Sequence, residues 1–387
     1  MNDWPHYSDE EIQKVVDVLR SGCPNYWGGD EGQSFEREFA SFHGVNHAVA
    51  LANGTVALEL ALFALGIGEG DEVVVSPRTF IASASSIIQR GAKPVFADVD
   101  ADSQNITPQT VQPVLSERTR AIVTVHLSGW PCDMPAFVDL AEKHNLKLIE
   151  DCAQAHGARV NGQLVGSFGD AAAFSFCTDK IMSTGGEGGM LLLHNEGAWR
   201  RAWSYKDHGR DWDAVYNREH PPGHRWQVES FGTNWRLSEM QSAMGRIQLR
   251  KLPEWITQRQ ANAQILFEAF RELPAVRVTA PPRAISHAYY KYYAFIRPER
   301  LKSGWNRDRI VQSLQDQGVN CLQGTCAEIY LESAFDDCGI RPGERLPVAK
   351  ELGETSLMFE VHPTLNQRDM QRVADEVTLV IEEATAT

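Results

Sequence analysis

The sequence predicts an α/β protein with a mainly parallel sheet, followed by a smaller α+β unit. Between residues 47 and 194 short β-rich runs alternate with helical ones, and most connections are long enough for a crossover helix. The exception is the last connection, which is glycine-rich and has no helical period. At 387 residues, 43% hydrophobic and 23% charged, the chain has ordinary globular composition and enough length for two domains.

The strand candidates are residues 47–52, 72–76, 94–98, 121–127, 146–151, 171–176 and 189–194. Met134, Phe137, Val138 and Ala141 fall on one helical face that Asp133 can cap, so 134–145 reads as a crossover helix. Residues 177–188 hold three glycines, and strands 171–176 and 189–194 are therefore expected to pair antiparallel, with Lys180 between them.

After residue 200 the chain turns aromatic and basic at Trp203, Tyr205, Lys206, His208 and Arg210, then passes through Glu219-His220-Pro221-Pro222-Gly223. That composition suggests an ordered loop. A helix is expected from Ser238 to about Phe270, interrupted at Pro253, and the domain boundary is placed there: 1–250 as the large domain and 251–387 as the small one. The small domain should contain a strand at 289–296 and a helix near 307–317. It should close with an amphipathic helix striped by Met370, Val373, Ala374, Val377 and Ile381, with Thr364 and Gln367 at capping-box spacing.

With 37 basic and 51 acidic residues the net charge is −14, a field that repels polyanions and argues against nucleic-acid binding. A phosphorylated ligand must then be held by local groups. No segment approaches the roughly 18 apolar residues of a membrane span, and the N-terminal residues lack a signal-peptide pattern, so the expected location is cytoplasmic, away from the membrane. The seven cysteines are an odd, scattered set without CxxC spacing, read as reduced thiols with neither a disulfide framework nor a metal site.

Three segments carry candidate chemistry. Asn53-Gly54-Thr55 ends a strand and opens an apolar helix, whose free N–H groups would seat a phosphate. Glu150-Asp151-Cys152-Ala153-Gln154 ends another strand, where open α/β sheets place their ligands and where a carboxylate can face a protonated ring nitrogen. Ser175 precedes Lys180 by five residues, so that a hydroxyl can hold a phosphate while an amine reaches an aldehyde carbon, and Gly185, Gly186, Gly188 and Gly189 let the backbone approach closely. A lone loop lysine is ordinarily a solvated charge; this one is distinguished by its neighbours.

In order, Asn-Gly-Thr at 53–55, Thr79-Phe80, Glu150 to Gln154, Ser175-Phe176 with Lys180, and Gly186-Glu187-Gly188-Gly189 resemble the DegT/StrS family of sugar aminotransferases. His208-Gly209 and the run from Gly232 to Gln241 extend the resemblance over roughly residues 8 to 380. It implies the fold-type I architecture of enzymes using pyridoxal 5′-phosphate (PLP), with a large cofactor domain, a smaller C-terminal one and an N-terminal segment able to pack on the latter. Lys180 would be the Schiff-base lysine and general acid/base, and Asp151 the partner of the ring nitrogen. Gln154 would bond the ring hydroxyl, Gly54, Thr55 and Ser175 would hold the phosphate, and Phe80 would stack on the ring. Asn234 resembles the asparagine that reaches the phosphate from a neighbouring subunit, which implies a homodimer with shared active sites.

The implied reaction moves an amino group from an amino acid, L-glutamate by resemblance, through pyridoxamine 5′-phosphate to a nucleotide-linked keto-sugar. Arg210, Arg225 and Arg236 are candidate cations for that substrate, and His126, at a strand end, is open between a core and a functional role. The family often has Asn or Lys near Asp179, so Cys177-Thr178-Asp179 is a departure, as is the segment 327–332. Two alternatives share the fold: a sugar dehydratase, in which histidine replaces the lysine, and a cofactor-binding regulatory protein without turnover. Lys180 counts against the first, and the complete set of Asp151, Ser175 and Lys180 against the second.

Overall fold

The computed structural model describes residues 4–219 and 226–386. Its central sheet consists of β1 (His47–Leu51), β2 (Glu72–Val75), β3 (Lys93–Phe96), β4 (Thr119–Val125), β5 (Lys147–Asp151), β6 (Ala171–Ser175) and β7 (Gly189–Leu193). All seven expected strands are present. Their spatial order is β1-β7-β6-β5-β4-β2-β3, and only β7 runs against its neighbours, as its glycine-rich connection to β6 suggested.

Strand residues alternate between two apolar layers. Val74, Ile122, Leu148 and Leu192 join the layer containing Phe35, Phe39 and Phe137, whereas Val73, Val75, Val123 and Leu191 join the one containing Leu58 and Leu62. Helices therefore cover both faces, which is why these strands read as continuous apolar runs rather than as alternating ones. The expected crossover helix forms at Met134–His144, with the Asp133 carboxylate accepting from the Ala136 N–H.

A second sheet of Val276–Arg277, Tyr292–Ile296, Ser356–Phe359 and Cys321–Leu322 is covered by helices Arg307–Asp316 and Gln367–Ala384, giving the smaller α+β layer. The N-terminal segment lies against this part of the molecule, with Trp4 edge-on to Trp255 and stacked on His362.

Three sequence expectations are corrected. Glu239–Phe270 is one continuous helix despite Pro253; the N–H donor missing there, at an ordinary cost of about 3 kcal/mol, is offset by burial of Leu249, Leu252 and Ile256 around it. Trp203, Tyr205 and Lys206 belong to helix Glu196–Lys206 rather than to a loop, and the turn-rich 220–225 falls outside the described residues. The last helix is capped by Asn366, paired reciprocally with Asp369, instead of by Thr364 and Gln367. Asn366→Ala should therefore cost about 1 kcal/mol in denaturant unfolding, while Gln367→Ala, which removes no cap, should cost a few tenths.

Candidate active site

Each segment singled out by sequence follows the carboxyl end of β1, β5 or β6, strands that run in the same direction, and the fold gathers them at one edge of the sheet. After β1, the Asn53 side chain accepts from the Val56 N–H at 3.0 Å, opening helix Gly54–Ala64. The first intrahelical bond runs from the Ala57 N–H to the Asn53 carbonyl, leaving the N–H groups of Gly54 and Thr55 without helical partners. Ser175, the last residue of β6, stands beside them. A Cβ on Gly54 would lie 2.7 Å from Ser175 Cβ and 3.2 Å from its Oγ, so only glycine permits this approach. The Gly54 and Thr55 N–H groups at a helix N-terminus, with the Ser175 hydroxyl beside Gly54, are groups able to bind a phosphate dianion.

Asp151 ends β5, in the middle of the sheet. Its Oδ2 accepts from the Ser83 hydroxyl at 2.7 Å and its Oδ1 from the Ala153 N–H at 3.1 Å. Thr79 stands behind Ser83, their hydroxyl oxygens 2.8 Å apart. Burial pushes the Asp151 carboxyl up, opposed by Ser83, Ala153 and the Lys180 charge, so the group is short of the cation that would fully stabilise its ionised form. Gln154 accepts from the Ser128 N–H at 2.8 Å through its Oε1. Its amide nitrogen has no hydrogen-bond partner among the described residues.

Lys180 sits in the turn between β6 and β7, where Gly185 and Gly186 take φ values of +81° and +118°. Its carbonyl accepts from the Trp4 indole N–H at 2.8 Å, and Tyr7 and Ser183 share a hydroxyl contact of 2.9 Å, so the N-terminal segment straps down the lysine turn. The Lys180 amine lies 4.9 Å from the Tyr290 ring centroid.

Phe80 follows β2 and is 65% exposed, and Asn234 is also exposed, with its Oδ1 facing the Arg236 N–H. Arg210 and Arg236 converge on Oδ1 of the buried Asp207, at 3.2 and 2.5 Å, rather than on Lys180. Arg225 is outside the described residues.

His126 has a structural role. Its Nδ1 accepts from the Cys132 N–H, which puts the proton on Nε2 and directs it to Glu150 at 3.1 Å. Glu150 also accepts from the N–H groups of Gly166, Phe168 and Gly169 at 2.8 to 2.9 Å. His126, Glu150 and Cys152 lie close enough to suggest a metal site, yet both histidine nitrogens and both carboxylate oxygens are already engaged, and burial pushes the Cys152 thiol well up. Among the described residues this cluster is an internal support.

The donor set fits PLP. The phosphate seat is one that a Cβ at position 54 would fill, Asp151 has no hydrogen-bonded cation, and the Gln154 amide nitrogen and the Lys180 amine make no hydrogen bond among the described residues. A seven-stranded, mostly parallel sheet with a smaller α+β layer is the architecture of a fold-type I PLP-dependent transferase. The chain belongs to the DegT/DnrJ/EryC1/StrS aminotransferase family, whose model matches residues 5–378.

It is similar to the X-ray structure of the aminotransferase from Psychrobacter cryohalolentis, with 50% identity, 99% coverage of both chains and a TM-score of 0.97. The spore coat polysaccharide biosynthesis protein SpsC of Bacillus subtilis is 34% identical, over 98% of this chain and 96% of the relative. UDP-N-acetyl-3-dehydro-α-D-glucosamine 3-aminotransferase of Acidithiobacillus ferrooxidans is 34% identical, over 89% of this chain and 87% of the relative.

Sequence reasoning missed Ser83, Trp4 and Tyr290. The spacing of Thr79 and Ser83, one helical turn apart, is a signal for the first; nothing local marks the other two. Glu150 supplies a test of the support beneath Asp151. Burial raises its pKa, but His126 and the loop N–H groups outweigh that and hold it below the ordinary glutamate range. Its stabilisation is thus fully present above the unfolded-state pKa and is lost as pH falls through the lower folded value. Glu150→Gln should lose about 3 kcal/mol at neutral pH and show a flatter acid limb in stability measured against pH.

Proposed function

We propose that the protein is a PLP-dependent aminotransferase that transfers an amino group from L-glutamate to a nucleotide-linked keto-sugar, in the biosynthesis of an amino-sugar for a polysaccharide or glycoconjugate. The observation that carries this reading is the convergence of a cation-seeking buried carboxylate at Asp151, the glycine-dependent phosphate seat at Gly54, Thr55 and Ser175, and the Lys180 amine at one sheet edge. The sugar is supported by relatives named for spore coat polysaccharide biosynthesis and for amination of a UDP-linked 3-keto-sugar.

When bound, PLP supplies an electron sink that stabilises negative charge at the α-carbon of the amino donor. Asp151 holds the proton on the ring nitrogen, on which that sink depends. Gln154 donates from its amide nitrogen to the ring hydroxyl, and Phe80 covers a ring face. The Lys180 amine would hold the aldehyde carbon of that group and, when free, would take and return the proton at the α-carbon of the donor.

Asn234, exposed on its own chain, completes the phosphate seat of a neighbouring subunit in a homodimer. Arg210 and Arg236 share one carboxylate, so with Asp207 they retain a net positive charge toward an anionic nucleotide. Purified protein incubated with PLP should turn yellow, bleach with L-glutamate and regain its colour with a nucleotide-linked keto-sugar. Lys180→Ala should lower transfer at least ~10³-fold while still binding pyridoxamine 5′-phosphate. Colour that persists with every amino donor contradicts the reading.

A further inference from the structure

Asp179 immediately precedes Lys180, and the proposed reaction assigns it no task. Its carboxylate accepts a hydrogen bond from the Tyr290 hydroxyl. The Tyr290 backbone is fixed on both sides: its N–H donates to the Ser128 carbonyl at 2.8 Å, and its carbonyl accepts from the buried Arg259 at 3.2 Å. The phenol ring is 8% exposed and presents itself to Lys180, whose amine lies 4.9 Å from the centroid.

Among the described residues that amine makes no hydrogen bond, so the ring and the nearby charges alone hold it. A hydroxyl hydrogen-bonded to a carboxylate enriches its ring in electrons, which strengthens the attraction for an ammonium.

The charges around Lys180 have a definite balance. Asp179 and Asp151 are the acids. Burial raises the Asp179 carboxyl, but the Lys180 charge, the Tyr290 hydroxyl and Lys291 outweigh it and leave Asp179 below its ordinary range. On the cationic side stand Arg259 and Lys291, the latter 5.2 Å from the same ring and paired with Glu360 at 3.1 Å. His156, buried near both Lys180 and Arg259, is neutral because burial lowers it to about 3. Burial and Asp179 keep Tyr290 a neutral phenol.

We propose that Tyr290, locked by Asp179, is a positioning residue that seats the Lys180 amine whenever it is not bonded to the cofactor. A released lysine has a long, flexible side chain, and a fixed seat returns its nitrogen to one place in both halves of the reaction. Asp179 also stabilises positive charge on that nitrogen while it is bonded to the cofactor. The inference rests on the PLP reading above.

The test is a pH titration of PLP-loaded protein, reading the midpoint of the colour change. Asp179→Asn removes a negative charge beside the protonated nitrogen and should lower the midpoint by about one pH unit. Tyr290→Phe keeps the ring, loses the lock and should move it a smaller distance in the same direction. Tyr290→Leu also loses the ring and should lower kcat about tenfold with KM for the amino donor unchanged. Asp179→Asn lies in an exposed turn, and its fold is checked by near-UV circular dichroism. A coloured wild type with an unmoved midpoint in Asp179→Asn overturns this inference alone; a wild type that takes up no colour overturns it together with the PLP reading.

Discussion

The Asp151 carboxylate, buried at the end of the central β5 strand with two hydrogen bonds and no hydrogen-bonded cation, is the constraint on which the site depends. Its neighbour Glu150 shows what such a residue becomes when fully satisfied. The two point to opposite faces of the sheet because strand side chains alternate. Glu150 meets four donors and stays ionised as a support for His126 and the loop at 166–169. Asp151 meets two donors on the face toward Lys180, and burial raises its pKa until a cation arrives. Consecutive acids of nearly identical chemistry thus differ through the number of donors that each one meets: four at Glu150 and two at Asp151.

The sheet was legible because its strands are covered on both sides and therefore appear as apolar runs bounded by turn residues. The antiparallel turn carrying Lys180 was legible from its glycines. Other features depend on contacts that no local pattern encodes: Ser83 meets Asp151 across 68 residues, Tyr290 meets Asp179 across 111, and Trp4 meets Lys180 across 176. Pro253 misled in the opposite sense, since a helix packed along both of its halves tolerates a missing hydrogen bond that would break an exposed one. Arg210 and Arg236, candidate substrate cations in the sequence, are both contacted by a buried aspartate.

The site is also built from more than one part of the chain. Gly54, Asp151, Ser175 and Lys180 come from ends of the central sheet, Tyr290 precedes a strand of the second sheet, and Trp4 comes from the N-terminal segment. The lysine turn is thereby held from several sides while its amine makes no hydrogen bond among the described residues. Rigid surroundings and an amine without hydrogen bonds match the proposed two-half reaction, in which the same nitrogen would leave and return.

The claim that Asp151 sets the state of the ring is tested most directly by nitrogen NMR of protein loaded with PLP carrying ¹⁵N in the ring. Wild-type protein at neutral pH should give the chemical shift of a protonated pyridine nitrogen, and Asp151→Asn that of an unprotonated one. The same shift in both proteins would show that another group governs the ring and would contradict the account.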